Sequence, residues 1–245
     1  MHCQPQLKSM VYKWLNNNHD CLLCNETADQ PYPLCVACEA DLPWLEDGCQ
    51  VCALPLPMHG LTCGQCSRRA PAFYRVEAPW HYGFPLDALI SRFKYHSQWP
   101  LGHLLAQLLG RWLTHRFSDG LPRPALLLPV PLSRRRLRQR GYNQAAMLAR
   151  WLAAHTGITC DERILKRLVD TPAQQGLNAR QRKRNLRQAF AVENVDRLEG
   201  RHLALIDDVL TTGATAQALA SLLLKAGARR VDVYCLARTA KPGSA

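Results

Sequence analysis

Four cysteine pairs of the form CxxC constrain the N-terminal part of this chain more than any other feature. They read CLLC, CVAC, CQVC and CGQC, and their first cysteines recur every 14 residues. Two thiolates three residues apart can bind one metal ion from a tight turn, and two such pairs complete the tetrahedral four-cysteine site that Zn²⁺ prefers. The pattern predicts two structural zinc sites with eight ligands: Cys21, Cys24, Cys35, Cys38, Cys49, Cys52, Cys63 and Cys66.

The spacing leaves open which pairs share a metal ion. Sequential pairing (first with second, third with fourth) and interleaved pairing (first with third) are both compatible with it. A redox array is an alternative, but a redox CxxC normally opens the helix of a βαβ unit, whereas these pairs lie among Pro, Gly and Asn. An iron–sulfur cluster is a further alternative. A segment of about 70 residues with few large apolar side chains gains folding free energy from metal binding, which favours a structural role.

Charge divides the chain near residue 70. The whole chain has a formal net charge of +12. Residues 1–70 hold four basic and seven acidic residues, a net −3, so the other 27 basic and 12 acidic residues give residues 71–245 a net charge of +15. Such an excess indicates a polyanionic partner: nucleic acid, a polyphosphorylated metabolite or a membrane surface. We expect a Cys-rich zinc-binding module over residues 1–70 and a larger domain over residues 71–245.

Neither a secretory signal nor a membrane helix is visible in the sequence. The first 20 residues are interrupted by polar side chains, and no apolar run approaches the ~18–20 residues that a membrane helix needs. The sequence therefore predicts a cytoplasmic protein without membrane insertion, in which thiols stay reduced and available as ligands.

The larger domain alternates strand-like and helix-like segments. Residues 85–98, 101–117 and 141–157 have helical spacing, whereas residues 125–132 and 202–208 are short apolar runs. This order predicts an α/β fold with a mostly parallel sheet flanked by helices. Ligands of such sheets bind beyond the carboxyl ends of the strands. The ends of the two apolar runs are therefore the candidate sites.

The stretch ALIDDVLTTGAT, residues 204–215, lies at the second of these ends. Asp207 and Asp208 follow a buried strand, and a loop of backbone N–H groups and threonine hydroxyls then leads into a helix. A helix N-terminus of this kind binds a phosphate monoester. Carboxylates can accept hydrogen bonds from the vicinal hydroxyls of a sugar. The pattern therefore favours a sugar phosphate.

This stretch closely resembles the phosphoribosyl diphosphate (PRPP) binding motif of type I phosphoribosyltransferases. The resemblance implies that the two aspartates hold the ribose hydroxyls, that the following loop holds the 5′-phosphate, and that Mg²⁺ binds together with PRPP. The PRPP-binding residues that it implies here are Asp207, Asp208, Thr211, Thr212, Gly213, Ala214 and Thr215.

Two arginine-rich segments accompany the motif: PVPLSRRRLRQRGYNQ at 129–144 and QQGLNARQRKRNLRQAF at 174–190. Charge runs are often only solvated faces, but arginine forks match phosphate oxygens well. Together with the CxxC pairs and the acidic motif, these segments resemble the ComF/GntX family of competence protein F-like proteins. The resemblance covers roughly residues 20–240. The resemblance implies a zinc-ribbon-like module joined to a type I phosphoribosyltransferase-like domain. It also implies a role in natural competence or in the use of external DNA as a nutrient.

The same resemblance assigns further residues. Arg140 and Gly141 would bind the pyrophosphate, with Asn143 and Gln144 just after that loop. A mobile segment that closes over the site would contain Gln174, Arg180, Lys183, Arg184 and Asn185. The implied catalytic residues are Asp207, Asp208, Lys183 and Arg184.

Two functions are compatible with these features. The first, which we favour, is a phosphoribosyltransferase that relies on positioning and on charge stabilisation of the leaving pyrophosphate. The chain has no recognisable hood that selects a purine or a pyrimidine, so the acceptor stays open. The second is a non-catalytic PRPP sensor that binds single-stranded DNA or other DNA-uptake proteins.

Overall fold

The computed structural model describes residues 19–58, 60–169 and 188–240. The chain forms two compact units, Met1–Leu42 and Pro43–Ala245. The third and fourth CxxC pairs therefore belong to the larger unit. The boundary at residue 70, which follows the change in composition, stays a prediction about where the Cys-rich module ends.

The smaller unit is built around the first two CxxC pairs. Strands β1 (His19–Asp20) and β2 (Thr27–Ala28) pair antiparallel, and helix α1 covers Val36–Ala40. The Sγ atom of Cys35 caps this helix by accepting a hydrogen bond from the Cys38 N–H at 3.5 Å. The two pairs thus lie in a turn and at a helix start, where backbone N–H groups can reach the sulfur atoms.

A parallel sheet forms the centre of the larger unit. Its strands are β3 (Val76–Glu77), β4 (Trp80–His81), β5 (Leu126–Pro129), β8 (His202–Leu210) and β9 (Arg230–Arg238). The strand order is β3–β9–β8–β5, with β4 paired further along β9, and every pair is parallel. The predicted α/β class with a mostly parallel sheet is confirmed.

Helices accompany the sheet in the described part of the larger unit. They are α2 (Gly64–Arg68), α3 (Leu86–Tyr95), α4 (Trp99–Ser118), α5 (Arg134–Arg140), α6 (Gln144–Thr156) and α7 (Ala214–Lys225). Gly157 caps the end of α6, and its φ of 71° is a left-handed conformation that favours glycine. Helices α2 and α5 were not predicted, whereas the other four lie close to the predicted positions. Ser133 caps the start of α5, and its hydroxyl accepts a hydrogen bond from the Arg136 N–H at 3.3 Å.

An antiparallel hairpin of β6 (Leu165–Arg167) and β7 (Phe190–Val192) lies outside the main sheet. It was not predicted, because each strand has only three residues. The implied closing segment, with Gln174, Arg180, Lys183, Arg184 and Asn185, falls between these strands but outside the described residues.

The core of the larger unit is continuous with the second half of the Cys-rich sequence. Leu203, Ala204, Leu205 and Ile206 are fully buried, as expected for a parallel strand covered on both faces. The cysteines at 49, 52, 63 and 66 pack into the same hydrophobic cluster as residues of β8 and α7. Within the described ranges, no helix is long and apolar enough to cross a membrane.

Candidate functional sites

The two adjacent aspartates lie in the last part of β8. This strand runs through Asp207 and Asp208 to Leu210, two residues beyond the predicted end. Both aspartates are only partly accessible to solvent. The Asp208 N–H donates to Asp207 Oδ1 at 2.9 Å, and the Val209 N–H donates to Asp208 Oδ1 at 2.7 Å. These bonds orient both carboxylates at the carboxyl edge of the sheet.

Lys94, near the end of α3, is a site residue that sequence reasoning missed. Its Nζ atom lies 3.0 Å from Asp208 Oδ1, and the two side chains are 16% and 13% exposed. A largely buried ion pair of this kind is costly to separate. In the sequence Lys94 is one cation between Phe93 and Tyr95 on an amphipathic helix, a pattern that does not distinguish a site residue from a solvated one.

The aspartates repel each other enough to change their ionisation. Burial and the neighbouring Asp208 raise the pKa of Asp207 to about 7, in spite of the positive charges of Lys94 and Arg136. Near neutral pH the pair therefore binds a proton for much of the time. A cation, or a set of hydroxyl donors, would stabilise the fully ionised pair.

A phosphate-type loop, residues 211–215, connects β8 to α7. Gly213 has a φ of 72°, a left-handed conformation that favours glycine. Thr211 and Thr212 are exposed, and Thr212 Oγ1 accepts a hydrogen bond from the Ala214 N–H at 3.4 Å. The loop ends at a 12-residue helix, whose first N–H groups and positive dipole end can bind an anion.

The first arginine-rich segment reaches the same region through α3. Arg140 donates from Nη1 to Gln144 Oε1 at 2.9 Å and from Nη2 to the Tyr95 hydroxyl at 3.1 Å. Its guanidinium also stacks 4.7 Å from the Tyr95 ring centroid. Because Tyr95 follows Lys94, the end of α3 connects Arg140 with Asp208. Gly141 has a φ of 79° and ends α5.

The remaining arginines of α5 are exposed: Arg134, Arg135, Arg136 and Arg138. A cavity of about 420 Å³ lies between this helix and the β6–β7 hairpin. Its lining includes the cationic residues Arg134, Lys166 and Arg167 and the amide of Asn143. Asn143 also donates to the Val130 carbonyl at 3.1 Å, which ties the cavity to the end of β5. Glu193 also lines the cavity and pairs with Lys166 at 3.8 Å, so the lining has mixed charge with an excess of cations.

The eight paired cysteines form two quartets. Cys21, Cys24, Cys35 and Cys38 are the first quartet, and Cys49, Cys52, Cys63 and Cys66 are the second. Within each quartet all Sγ atoms lie within 4.8 Å of one another. This geometry favours sequential pairing, which the spacing alone left open.

The sulfur geometry fits zinc. Four Zn–S bonds of about 2.3 Å in a tetrahedron place the sulfur atoms about 3.8 Å apart. The Sγ–Sγ distance is 3.7 Å between Cys24 and Cys35 and 3.7 Å between Cys52 and Cys63. A disulfide would bring the two sulfurs to about 2.05 Å, so the quartets are metal sites made of free thiols.

Each quartet ionises unevenly. Although burial favours the neutral thiols, backbone N–H donors lower the pKa of Cys21 to about 6 and that of Cys49 to about 7. Burial and the neighbouring sulfurs raise the pKa of Cys38 and that of Cys66. Four thiolates so close together require a bound cation. A structural zinc ion supplies that charge and leaves no open coordination position.

These features define an α/β protein with a parallel sheet, an acidic strand end beside a phosphate-type loop, and two four-cysteine metal sites. Residues 15–67 match the family model described as "Double zinc ribbon domain". The DNA utilization protein YhgH of Salmonella typhi is 37% identical over 221 residues, which cover 89% of this chain and 96% of that protein. Competence protein F of Haemophilus influenzae is 35% identical over 209 residues, covering 84% and 90%. The chain belongs to the family of these two proteins, and the ComF-type resemblance is confirmed.

Solved structures give a much weaker match. A purine phosphoribosyltransferase from Pyrococcus horikoshii is 16% identical to this chain, with a TM-score of 0.36. The match covers 55% of this chain and 74% of that protein. It is too distant to support an inference about ligands.

We expect about two zinc atoms per chain, because each quartet offers four thiolates. Cys24→Ser and Cys52→Ser should each lower the zinc content to about one, measured by elemental analysis of the purified protein. Cys160→Ser is the matched control, since this half-buried free cysteine lies outside both quartets, and it should retain both metals. One zinc atom in the unmodified protein would contradict the assignment.

Asp207→Asn should stabilise the protein at pH 8. The pKa of Asp207 is about 7 in the folded protein and about 3.9 when unfolded, so the folded state binds more protons in this window and loses stability as the pH rises. Asparagine keeps the acceptor for the Asp208 N–H. We expect a gain of about 1–3 kcal/mol at pH 8 that shrinks towards pH 5, measured by thermal unfolding at both pH values.

The control for this change is Asp29→Asn, which replaces an exposed carboxylate and should shift the unfolding temperature little at either pH. If Asp207→Asn changed the unfolding temperature equally at pH 5 and pH 8, the repulsion between the aspartates would not be the cause of that change.

Proposed function

We propose that this chain binds PRPP with Mg²⁺ at the carboxyl end of β8 and transfers its phosphoribosyl group to an acceptor during DNA utilisation. The observation that carries the proposal is the unbroken run of Asp207, Asp208 and the phosphate-type loop at the start of α7. Its sequence resembles the PRPP motif, and its geometry suits a ribose 5-phosphate.

Each part of the run has a role in binding. The 5′-phosphate lies against Thr211, Thr212, Gly213, Ala214 and Thr215, where N–H groups, hydroxyls and the helix dipole favour a dianion. The ribose hydroxyls donate to Asp207 and Asp208, which are already oriented by backbone N–H groups. Donation from the ribose to both carboxylates favours their ionised form and lowers their mutual repulsion.

The leaving pyrophosphate requires positive charge. Lys94 is held 3.0 Å from Asp208, and it can turn to the pyrophosphate once the ribose occupies that carboxylate. Arg140 and Gly141 lie at the same end of α3, and Arg140 is already oriented by Tyr95 and Gln144. Mg²⁺ enters with PRPP as part of the substrate and offsets its charge.

The chemical step is a displacement at C1′. The bond between C1′ and the pyrophosphate oxygen breaks, and pyrophosphate leaves with the electron pair. The acceptor forms the new bond to C1′ and gives up a proton. Lys183 and Arg184 of the implied closing segment would add cations and exclude water, as the resemblance implies. Positioning and preorganised charge supply the catalysis.

The names of the relatives suggest the biological setting. One is called a DNA utilization protein and the other a competence protein. The net charge of +15 on residues 71–245 agrees with a polyanionic partner. We therefore place the protein in the cytoplasm, where its thiolates persist, and propose an acceptor derived from nucleic acid.

A second candidate function is supported by the exposed arginines of α5. A row of arginines on a surface helix can contact the backbone of single-stranded DNA, in which case PRPP would act as a regulatory ligand. Other DNA-uptake proteins are further partners in this alternative.

Isothermal titration should detect PRPP binding only in the presence of Mg²⁺. Asp207→Asn/Asp208→Asn should weaken binding by about 100-fold or more, because two charge-assisted hydrogen-bond acceptors are lost. Asp119→Asn, an exposed carboxylate at the end of α4, should bind PRPP normally. Failure of the unmodified protein to bind PRPP would contradict both candidate functions.

Turnover separates the two candidates. Labelled PRPP is incubated with single-stranded DNA, nucleotides or nucleobases, and pyrophosphate release is followed. Release with one acceptor would support the transferase. DNA binding with a steep salt dependence and no release would support the regulatory alternative.

A further inference from the structure

Arg238, at the end of β9, is a buried cation that the proposed PRPP site does not use. Its side chain is only 7% exposed. Its Nε atom donates to the Cys52 carbonyl at 2.9 Å, and its Nη1 atom donates to the Leu210 carbonyl at 3.0 Å and to the Thr211 carbonyl. One guanidinium therefore joins a residue of the second quartet to the first residue of the phosphate loop.

The burial of this charge requires an explanation. Desolvating a cation costs several kcal/mol unless charges or hydrogen bonds compensate it. In the described part of the chain, Arg238 forms no ion pair with a carboxylate and is satisfied by backbone carbonyls, including that of Thr239 at 2.8 Å. Carbonyl groups alone give weak compensation for a full positive charge.

The second quartet supplies the missing negative charge. Four thiolates around one Zn²⁺ ion carry a net charge of −2, and Cys52, one of these ligands, bonds to Arg238 through its carbonyl. On its other side, the guanidinium reaches the loop proposed to bind a phosphate dianion. Arg238 thus lies between two sites that are anionic when occupied, and attraction in a buried setting is stronger than in water.

A second set of contacts connects the quartet to the loop independently of Arg238. The Ala72 N–H donates to Gln217 Oε1 in the first turn of α7 at 2.7 Å. The ring of Phe73 packs beside Gly213, 3.9 Å from where a Cβ atom of that residue would lie. The chain that leaves the last cysteine of the quartet therefore supports the loop.

We propose that Arg238 is a positioning residue that couples metal binding at the second quartet to the conformation of the phosphate loop. With the metal bound, the Cys52 carbonyl is fixed, and Arg238 holds the Leu210 and Thr211 carbonyls in place. Without the metal ion, the four thiolates repel each other and the Cys52 carbonyl shifts. The phosphate loop then becomes more mobile. The first quartet has no part in this chain of contacts. The identity of the ligand rests on the proposed function, whereas the coupling of metal and loop does not.

The first test uses the zinc-loaded full chain. Arg238→Lys keeps the charge but lacks the planar fork that reaches several carbonyls at once. Without ligand, ¹⁵N order parameters of Thr211, Thr212 and Gly213 should fall from about 0.85 to below about 0.6. Arg230→Lys is the matched control at the other end of β9, where Arg230 pairs with Asp232, and it should leave the loop rigid.

The second test compares the quartets. Cys63→Ser should loosen the loop at least as much as Arg238→Lys does, and the double variant should loosen it no more than Cys63→Ser alone, because the route through Arg238 begins at the quartet. Cys24→Ser, in the first quartet, should leave the loop unchanged. If Cys63→Ser does not fold, stepwise removal of zinc from the unmodified protein with a chelator, followed by its return, should lower and then restore the order parameters.

Ribose 5-phosphate serves as the ligand probe, since it carries the 5′-phosphate without pyrophosphate. By isothermal titration, Arg238→Lys should bind it about tenfold more weakly than the unmodified protein. Unchanged loop order in Arg238→Lys, or equal loosening by Cys24→Ser and Cys63→Ser, would overturn the coupling. If the loop loosens as expected but ribose 5-phosphate does not bind the unmodified protein, the coupling stands and the PRPP proposal fails.

Discussion

The parallel pairing of β8 with β5 on one side and β9 on the other is the constraint on which the rest of the structure depends. Parallel strands end at the same edge, so this pairing sets Leu210 of β8 beside Arg238 of β9 and places Asp207 at the same edge as the end of β5. The fully apolar run before Asp207 fixes the strand in the core. The partly buried acidic pair is thus stabilised by the burial of its neighbours, and its two carboxylates remain close in spite of their repulsion.

The aspartate pair and the cysteine quartets share one physical principle. Each holds several acidic groups closer together than their charges alone would allow, and burial strengthens the repulsion. A bound cation or a set of hydrogen-bond donors offsets it, so binding is coupled to a gain in local stability. In the second quartet the effect extends further, because Arg238 connects the metal site with the phosphate loop through backbone carbonyls. In our proposal, the second quartet and the phosphate loop then act as one unit.

Much of the fold and the position of the acidic pair at a strand end could be predicted from the sequence. The CxxC spacing gave the eight ligands, and strand-then-helix periodicity gave the parallel sheet and the position of Asp207 and Asp208. Which CxxC pairs bind the same metal ion could not be predicted, because sequential and interleaved pairing both fit the spacing. Lys94 was missed because Asp208 lies 114 residues further along the chain, and Arg238 because Cys52 lies 186 residues before it; no local pattern marks such contacts. The predictions for Lys183 and Arg184 remain open.

In the proposed function, the loop after β8 binds the 5′-phosphate of PRPP beside the acidic pair. Phosphorus NMR tests it most directly, because the 5′-phosphate and the two pyrophosphate phosphorus atoms of PRPP give separate signals. With Mg²⁺ present, addition of the zinc-loaded protein should broaden all three signals, and Asp207→Asn/Asp208→Asn should abolish the effect. Broadening of the pyrophosphate signals with an unchanged 5′-phosphate signal would contradict the account, as would no broadening at all.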